Sequence, residues 1–519
     1  MTRCPRPVAA PTLQPRRALS CEEQRPRRTV PSITARSHGA STFRHAHSVW
    51  PRRASAAKPD CTRNRTVDQL ATSPIARAIR PLLFAPALIL FTSAAHAEPP
   101  LLDVTDDHSV VVAVPWGVPR AEADRENRWL AHSNLQPTGR FVRRGQRLSV
   151  TVAGPHAAVI AIGLFGVYKD LNGGVAQSSF NHQTVRPGVP TWITAPLDGL
   201  VYVKNEGSQP LQVTLEGGEP IPTFVGGVTT KASFDAQMTR WPRAPFATFI
   251  GEQVFADIQY RWVRDNLASV TAGRIAGWDQ AARLTNEVYG LSAMASGLDR
   301  KSSNRIHITN PDTGPGAASA TNYRLTFHGT GGAVLLQREA DAQWGLWHEI
   351  GHTYQTPQYR WAGLTEVTVN LSSMAIEERL TGRNRLDTAD YRAKRTAYFG
   401  RAPAQRDFDK QTDIWFKLLM FDQLRRSFGE AFYPRLSARY RQLRRDGVNP
   451  RTDQEKRQLF ALTVGQVAER NMTPFFEQWG IALDSSTRAA LARLPALAHP
   501  IWNNHDRATD VVENALPPL

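Results

Sequence analysis

From about Leu101 to Phe224, apolar and polar residues alternate in short runs bounded by Gly, Pro or Asn. The stretches "RLSVTVAG", "HAAVIAIGLFG", "GLVYVKNEG" and "LQVTLEGGEP" each have the period of two expected of a half-buried strand. Short strands at this spacing predict an all-β sandwich of about 120 residues. From Phe234 the pattern changes. "ASFDAQMTRWPRAPFATFIGEQVFADIQYRWVRDN" and "GWDQAARLTNEVYGLSAMA" carry apolar residues at helical spacing. Between Arg305 and Leu336 the period returns toward two, and "RIHI", "NYRLTFHG" and "GAVLL" are candidate strands. A helix around "WGLWHEIGHTYQTP", residues 344–357, follows. The chain is then mostly helical to about residue 495, most clearly over "TDIWFKLLMFDQLRRSFGEAFYPRLSARYRQLRR". There is no internal repeat. The pattern predicts an α+β multidomain chain: a β-sandwich over 98–228, a mixed domain with a small sheet over 229–380, and a helical domain over 381–519.

The front end differs from the rest. Residues 1–74 are rich in Arg, Pro, Ser, Thr and Ala, a composition that cannot bury enough surface to offset chain entropy. Arg77 and Arg80 then precede an apolar run, Leu82 to Phe91, and an Ala95-His96-Ala97 cleavage site. This is the layout of a secretory signal over 75–97; the run is too short for a membrane span and Pro86 interrupts it. The expectation is an exported protein whose mature form begins at Glu98, with residues 1 to about 70 an over-extended gene start. No cysteine follows the cleavage site to carry a lipid anchor.

Charge changes meaning once located. The net charge of +17 suggests a nucleic-acid partner, but 16 of the 63 Lys/Arg and 4 of the 46 Asp/Glu lie in residues 1–97. The remainder holds 47 basic and 42 acidic residues, with no basic patch interleaved with aromatics, so nucleic acid is not expected. Cys4, Cys21 and Cys61 also precede residue 97, which leaves the body with neither a disulfide framework nor a Cys-based zinc site.

Chemistry concentrates at residues 348–352. His348 and His352 are four apart and share one helix face, with Glu349 turned about 100° from His348. Both imidazoles can reach one cation while the carboxylate reaches a water beside it. Trp347, Ile350, Gly351 and Tyr354 fall on the opposite side and face the core; Gly351 permits close packing of another backbone, and Pro357 ends the helix. By chance, H-E-x-x-H is expected in roughly one or two such chains in a hundred. A catalytic zinc needs a third protein ligand and an open position. Gln358 stands where one spacing class would have a third histidine, so the ligand must come from elsewhere. "WAGLTEVTVNLSSMAIEERL" supplies Glu366, with Leu364, Val367, Leu371, Met374 and Ala375 as the apolar stripe and Asn370, Ser373 and Glu377 on the face of Glu366. Glu377 and Glu378 are rivals about three turns along; Glu366 is favoured because it lies nearest the returning chain. Asn370, one turn on, is a candidate to orient a ligand.

"HEIGHTYQ" followed by "GLTEVTVNLSS" resembles the enhancin-like zinc metallopeptidases, a gluzincin family that includes viral enhancins and bacterial mucin-degrading proteases. "GTGGAVLL" resembles the family's substrate-side edge strand, "FFEQWGIAL" and "HPIWN" its C-terminal segments, and "PTGRFVRRGQRLSV" the entry to its N-terminal sandwich, so the likeness spans roughly residues 100–505. The resemblance implies a gluzincin-type catalytic domain, Zn²⁺ held by His348, His352 and Glu366, and Glu349 as catalytic base. It further implies an endopeptidase acting on proteins, above all mucin-like O-glycosylated ones; export is expected from the signal segment, and a monomer is expected.

In that reaction zinc activates a water and polarises the scissile carbonyl, while Glu349 takes the water's proton and returns it to the leaving amine. A second oxyanion donor is needed; Tyr359, Tyr391, Tyr398, Arg379 and Arg383 are the candidates, and the "TGGAV" edge is the candidate for strand addition by substrate. The competing expectations are an exported carbohydrate-binding or adhesive protein with an inactive protease module, a structural zinc protein, and an aminopeptidase. The first predicts missing ligands, and the second predicts a closed site with cysteines.

Overall fold

The computed structural model describes residues 102–518, so the signal segment and the displaced start lie outside the described residues. Two five-stranded antiparallel sheets come first. One runs in the order Leu102–Val104, His108–Ala113, Leu211–Gly217, Arg147–Ala153, Thr191–Thr194. The other runs Glu219–Pro220, Gln136–Val142, Gly199–Lys204, Ala158–Gly163, Asn181–Val185. Alternation places Leu148, Val150, Val152, Val213 and Leu215 of the first sheet against Val142, Ile160, Ile162, Val201 and Val203 of the second in one core.

The second sheet is buried on its outer face as well. Phe141, Ala161, Leu200 and Tyr202 pack there on Phe246 and Phe255 of a third sheet. At the centre of this contact Asp257 is fully enclosed. It accepts hydrogen bonds from the Tyr202 hydroxyl and the Thr248 hydroxyl, both at 2.6 Å, and lies 2.7 Å from His307 Nε2. A buried carboxylate needs such partners, and here one comes from the sandwich and two from the third sheet.

That third sheet is mixed and six-stranded, in the order Thr223–Val225, Phe246–Ile250, Val254–Gln259, Ile306–Thr309, Arg324–Phe327, Ala318–Thr321. It corrects two expectations. Residues 234–266 are not helical throughout: "FATFI" and "VFADIQ" are adjacent strands, between the helices Lys231–Arg240 and Tyr260–Asp265. Both strands are buried on both faces, and a strand without a polar face loses the alternation that distinguishes it from a helix. Their turn is held by the Asp279 carboxylate, which accepts from the backbone of Glu252, Gln253 and Val254.

The second correction is "GAVLL". It belongs to a helix, Gly331–Gln337, that buries Ala333, Leu335 and Leu336. Gly332 lies against Asn310, whose Oδ1 would stand 2.5 Å from an added Cβ. The edge strand is instead Ala318–Thr321, a short and half-exposed segment of small residues with no apolar run to announce it. It forms a hairpin with Arg324–Phe327 through Asn322 and Tyr323.

Three helices close over the sheet: Ala272–Val288, Trp344–Tyr354 and Asn370–Thr381. Trp347, Ile350 and Tyr354 are buried in the core they share. Gly351 is where two chain segments touch, since a Cβ there would stand 2.3 Å from the Val369 carbonyl oxygen. The helices Ile414–Phe428, Phe432–Arg445 and Asp453–Ala468 build a further core. Arg441 ties them to the rest by donating to the carbonyls of Tyr289 and Gly290 and to Asp299. Among the described residues no helix is long and apolar enough to cross a membrane.

Candidate metal centre and active site

The helix Trp344–Tyr354 carries His348 and His352 on one face, their rings 4.8 Å apart and nearly perpendicular. The chain then turns through a short 3-10 segment, Pro357–Tyr359, and returns as the single helical turn Thr365–Thr368, which brings in Glu366. Glu366 Oε2 lies 3.2 Å from His348 Nε2 and 3.6 Å from His352 Nε2. Among the described residues these three side chains form the one group of His, Cys, Asp or Glu gathered closely enough to hold a metal ion, their ligand atoms all within 4.8 Å of one another. The rivals are engaged elsewhere. Glu377 accepts both Nε and a terminal nitrogen of Arg385, and Glu378 pairs with Arg425 and Arg507.

Two carboxamides set the direction of the imidazoles. Asn370 Oδ1 faces His348 Nδ1 at 2.8 Å, and Gln355 Oε1 faces His352 Nδ1 at 3.1 Å. The amide orientations are fixed by their other ends. Asn370 Nδ2 donates to the Glu366 carbonyl at 2.9 Å, and Gln355 Nε2 donates to the Thr365 carbonyl at 2.7 Å. A carbonyl only accepts, so each amide must present its oxygen to the ring, and each ring must carry its proton on Nδ1. Both Nε2 atoms are thereby turned toward Glu366. Each amide thus spans from one imidazole to the backbone of the turn that carries the carboxylate.

The electrostatics suit a cation. Hydrogen bonding first to His348, then to His352, holds the Glu366 carboxyl well below the usual carboxylate range. Burial pulls the His348 pKa down, but hydrogen bonds to Glu366 and Asn370 and the charges of Glu349 and Glu366 outweigh it and leave the pKa raised. Glu349 is only 7% exposed, and burial pushes its carboxyl pKa up against the opposing pull of the histidines. Its Oε2 is buried with no hydrogen-bond partner among the described residues. Two neutral imidazoles, one carboxylate and an unpartnered acceptor beside them fit zinc with one open position.

Two of the candidate oxyanion donors, Tyr398 and Tyr359, are engaged or buried away from the site. The Tyr398 hydroxyl donates to the Trp479 carbonyl deep in the helical core, and Tyr359 is buried between Tyr440 and Phe460. Gln358 pairs amide to amide with Asn127. Sequence reasoning missed Gln355, Trp129 and Arg360. Gln355 lies just beyond the helix, where periodicity ends, and its one signal was its place three residues after His352. Trp129 belongs to a segment that straps the site: its N–H donates to the Gln355 carbonyl, Leu130 N–H donates to the Thr353 carbonyl, and His132 Nε2 meets the Thr353 hydroxyl.

The family model described as Peptidase M60, enhancin and enhancin-like, matches residues 217–480. The chain belongs to this family. Among curated proteins it is similar to a TRPM8 channel-associated factor homolog of Danio rerio, 25% identical over 322 residues, covering 59% of this chain and 33% of that protein. It spans a third or less of the length of the first such relatives. Among solved structures it is similar to a conserved protein of unknown function from Bacillus anthracis, at 25% identity and a TM-score of 0.72, covering 80% of this chain and 84% of that one. It shares its fold with the ZmpB metallopeptidase of Clostridium perfringens, at 18% identity and a TM-score of 0.63, over 76% and 81% of the two chains. It shares it also with a metallopeptidase solved in complex with Tn antigen, at 19% identity and a TM-score of 0.63, over 78% and 83%.

Proposed function

We propose that the chain is a zinc-dependent endopeptidase in which His348, His352 and Glu366 hold the metal and Glu349 is the general base. The observation that carries this reading is the pair of carboxamides, which turn both Nε2 atoms onto the Glu366 carboxylate beside a buried, unpartnered Glu349 oxygen. When bound there, zinc supplies Lewis acidity toward a water and toward the scissile carbonyl. Glu349 accepts a proton from the attacking water and delivers it to the leaving amine. Burial favours this, because a carboxylate with a raised pKa is a stronger base and holds the proton long enough to pass it on.

Substrate binding is assigned to the sheet edge. Ala318–Thr321 packs alongside the helix that carries the histidines. Thr321 and Arg324 flank the two-residue turn, so Thr321 and Ser319 exchange hydrogen bonds with the partner strand. Ala318 and Ala320 then direct their N–H and C=O groups outward, ready for an extended peptide. The substrates are taken to be O-glycosylated proteins of mucin type; the family likeness and the Tn antigen complex of a fold neighbour support this class. Export rests on the segment at residues 77–97.

The test uses the zinc-loaded chain with a mucin-type glycoprotein, before and after sialidase and O-glycanase treatment. Cleavage by wild type and a loss of about two to four orders of magnitude in Glu349→Gln, with zinc retained, are expected. Wild-type-like cleavage by that variant would remove the reading.

A further inference from the structure

We propose that Arg360 forms a subsite for a carboxylate of the substrate at the rim of the metal centre. This rests on the peptidase reading of that centre. The guanidinium lies over the ring of Trp129, with its carbon 3.6 Å from the ring centroid. One terminal nitrogen donates to the Thr365 hydroxyl at 2.9 Å, and Thr365 immediately precedes Glu366. From behind, Lys456 Nζ donates to the Arg360 carbonyl at 3.1 Å. Trp129 and Thr365 are both attached to Gln355, the first through its carbonyl and the second through its carboxamide. The cation is therefore fixed by the same residue that orients His352.

Among the described residues Arg360 has no carboxylate partner: its Nη1 bonds Thr365 alone, and its Nε is buried without an acceptor, which leaves the two terminal nitrogens as the donors a ligand would meet. Burial alone pushes the guanidinium pKa down, with no neighbouring charge opposing it. The contrast is with Arg385, which also stacks on a tryptophan, Trp344. Arg385 gives its Nε and a terminal nitrogen to the two oxygens of Glu377 at 3.0 and 2.8 Å. Arg360 has the same stacking without the anion, and with its Nε buried it would take one end-on through its terminal nitrogens. A rigid guanidinium with paired donors is the group that recognises a planar carboxylate in two places at once. Trp129 is 41% exposed beside it, which leaves indole surface for the apolar part of whatever bears the acid.

A substrate can present a carboxylate as an acidic side chain, a free C-terminus or a sialic acid. The experiment uses the full chain as Glu349→Gln, loaded with zinc, and measures binding of labelled peptides in matched pairs. The pairs are Asp against Asn, free against amidated C-terminus, and a sialylated O-glycopeptide against its sialidase product. In at least one pair the carboxylate form should bind ~10–100-fold more tightly, with a preference that weakens as salt rises. Adding Arg360→Gln should abolish the preference. Arg360→Lys should keep part of it, since a point charge remains without the fork. No preference in any pair, or a preference that survives Arg360→Gln, overturns the subsite. Zinc content on the same samples separates the two readings: full zinc without preference removes the subsite alone, whereas absence of zinc removes the peptidase reading and the subsite with it.

Discussion

Gln355 and His352 form a linked pair: the carboxamide oxygen of Gln355 takes the Nδ1 proton of His352 at 3.1 Å while its nitrogen grips the Thr365 carbonyl at 2.7 Å. One buried side chain thus sets the tautomer of one ligand and the height of the turn that presents another. Replacing Gln355 with Leu should lower zinc affinity about 10–100-fold, as loss of an outer partner commonly does. Gln355→Glu should recover part of it, because a carboxylate still accepts from Nδ1 but cannot donate to Thr365. Competition with a chromogenic chelator reads both; equal affinities in all three proteins would show that the link has no hold on the metal.

At Gly351 two effects oppose each other. Helix propensity alone favours Gly351→Ala by about 1 kcal/mol. A Cβ 2.3 Å from the Val369 carbonyl oxygen forces backbone apart, and overpacking of this kind typically costs about 1–3 kcal/mol. The steric term should win. Thermal unfolding should show a lower Tm, and chelator competition weaker zinc binding, because Val369 adjoins Asn370. A raised Tm would mean that the contact gives way freely.

The edge strand gives a kinetic prediction. Ala320 directs its N–H outward, so Ala320→Pro removes one donor from the open edge and leaves the ladder with Arg324–Phe327 intact. KM for a peptide substrate should rise about tenfold, the worth of one backbone hydrogen bond at the upper end of its range. Zinc content should not change. An unaltered KM would move the peptide off this edge.

Asp422 lies between Arg425 and Arg426, at 2.9 and 2.5 Å, in the helical core. Burial pushes its carboxyl up, and the two guanidinium groups overcome this and bring it down to about 2. A depressed carboxylate pKa stabilises the fold at pH above its ordinary value near 4, and that contribution is lost as pH falls toward 2. Wild-type Tm should therefore drop across this window. Asp422→Asn should be less stable at pH 6 by about 1–3 kcal/mol, since each guanidinium loses one charged hydrogen-bond partner while Arg425 keeps Glu378 and Glu430 and Arg426 keeps Asp387 and Asp510. It should also show a shallower acid slope. Parallel slopes in the two proteins would assign the acid loss to other groups.

The gathering of His348, His352 and Glu366 was legible in the sequence because helical periodicity fixes an i, i+4 pair and the spacing to Glu366 leaves room for a single return. Asn370 was legible for the same reason, one turn beyond Glu366. Gln355 was not, because it acts from extended backbone after the helix ends, with φ −49° and ψ 131°, where no period applies. Arg360 was not, because its partner Trp129 is remote in sequence. In the sandwich, Leu211–Gly217 was legible by its alternation, and Ala158–Gly163 and Gly199–Lys204, almost wholly buried, were legible by the Gly, Pro and Asn that bound them. "FATFI" and "VFADIQ" were not, since packing on Phe141 and Tyr202 from one side and on helices from the other leaves them no polar face. The true edge, Ala318–Thr321, was hidden by having almost no hydrophobicity, while the apolar "GAVLL" drew the assignment to a helix.

The Asp257 cluster bears on how such a protein can evolve. Its carboxylate is satisfied by Tyr202 on one side of the sheet contact and by Thr248 and His307 on the other. A gene segment encoding the sandwich could not be exchanged by recombination for an unrelated binding module, because the incoming sequence would have to bring a hydroxyl to the place of Tyr202 or leave a buried anion short of a partner. The sandwich and the sheet behind the metal centre must therefore be inherited together and drift together.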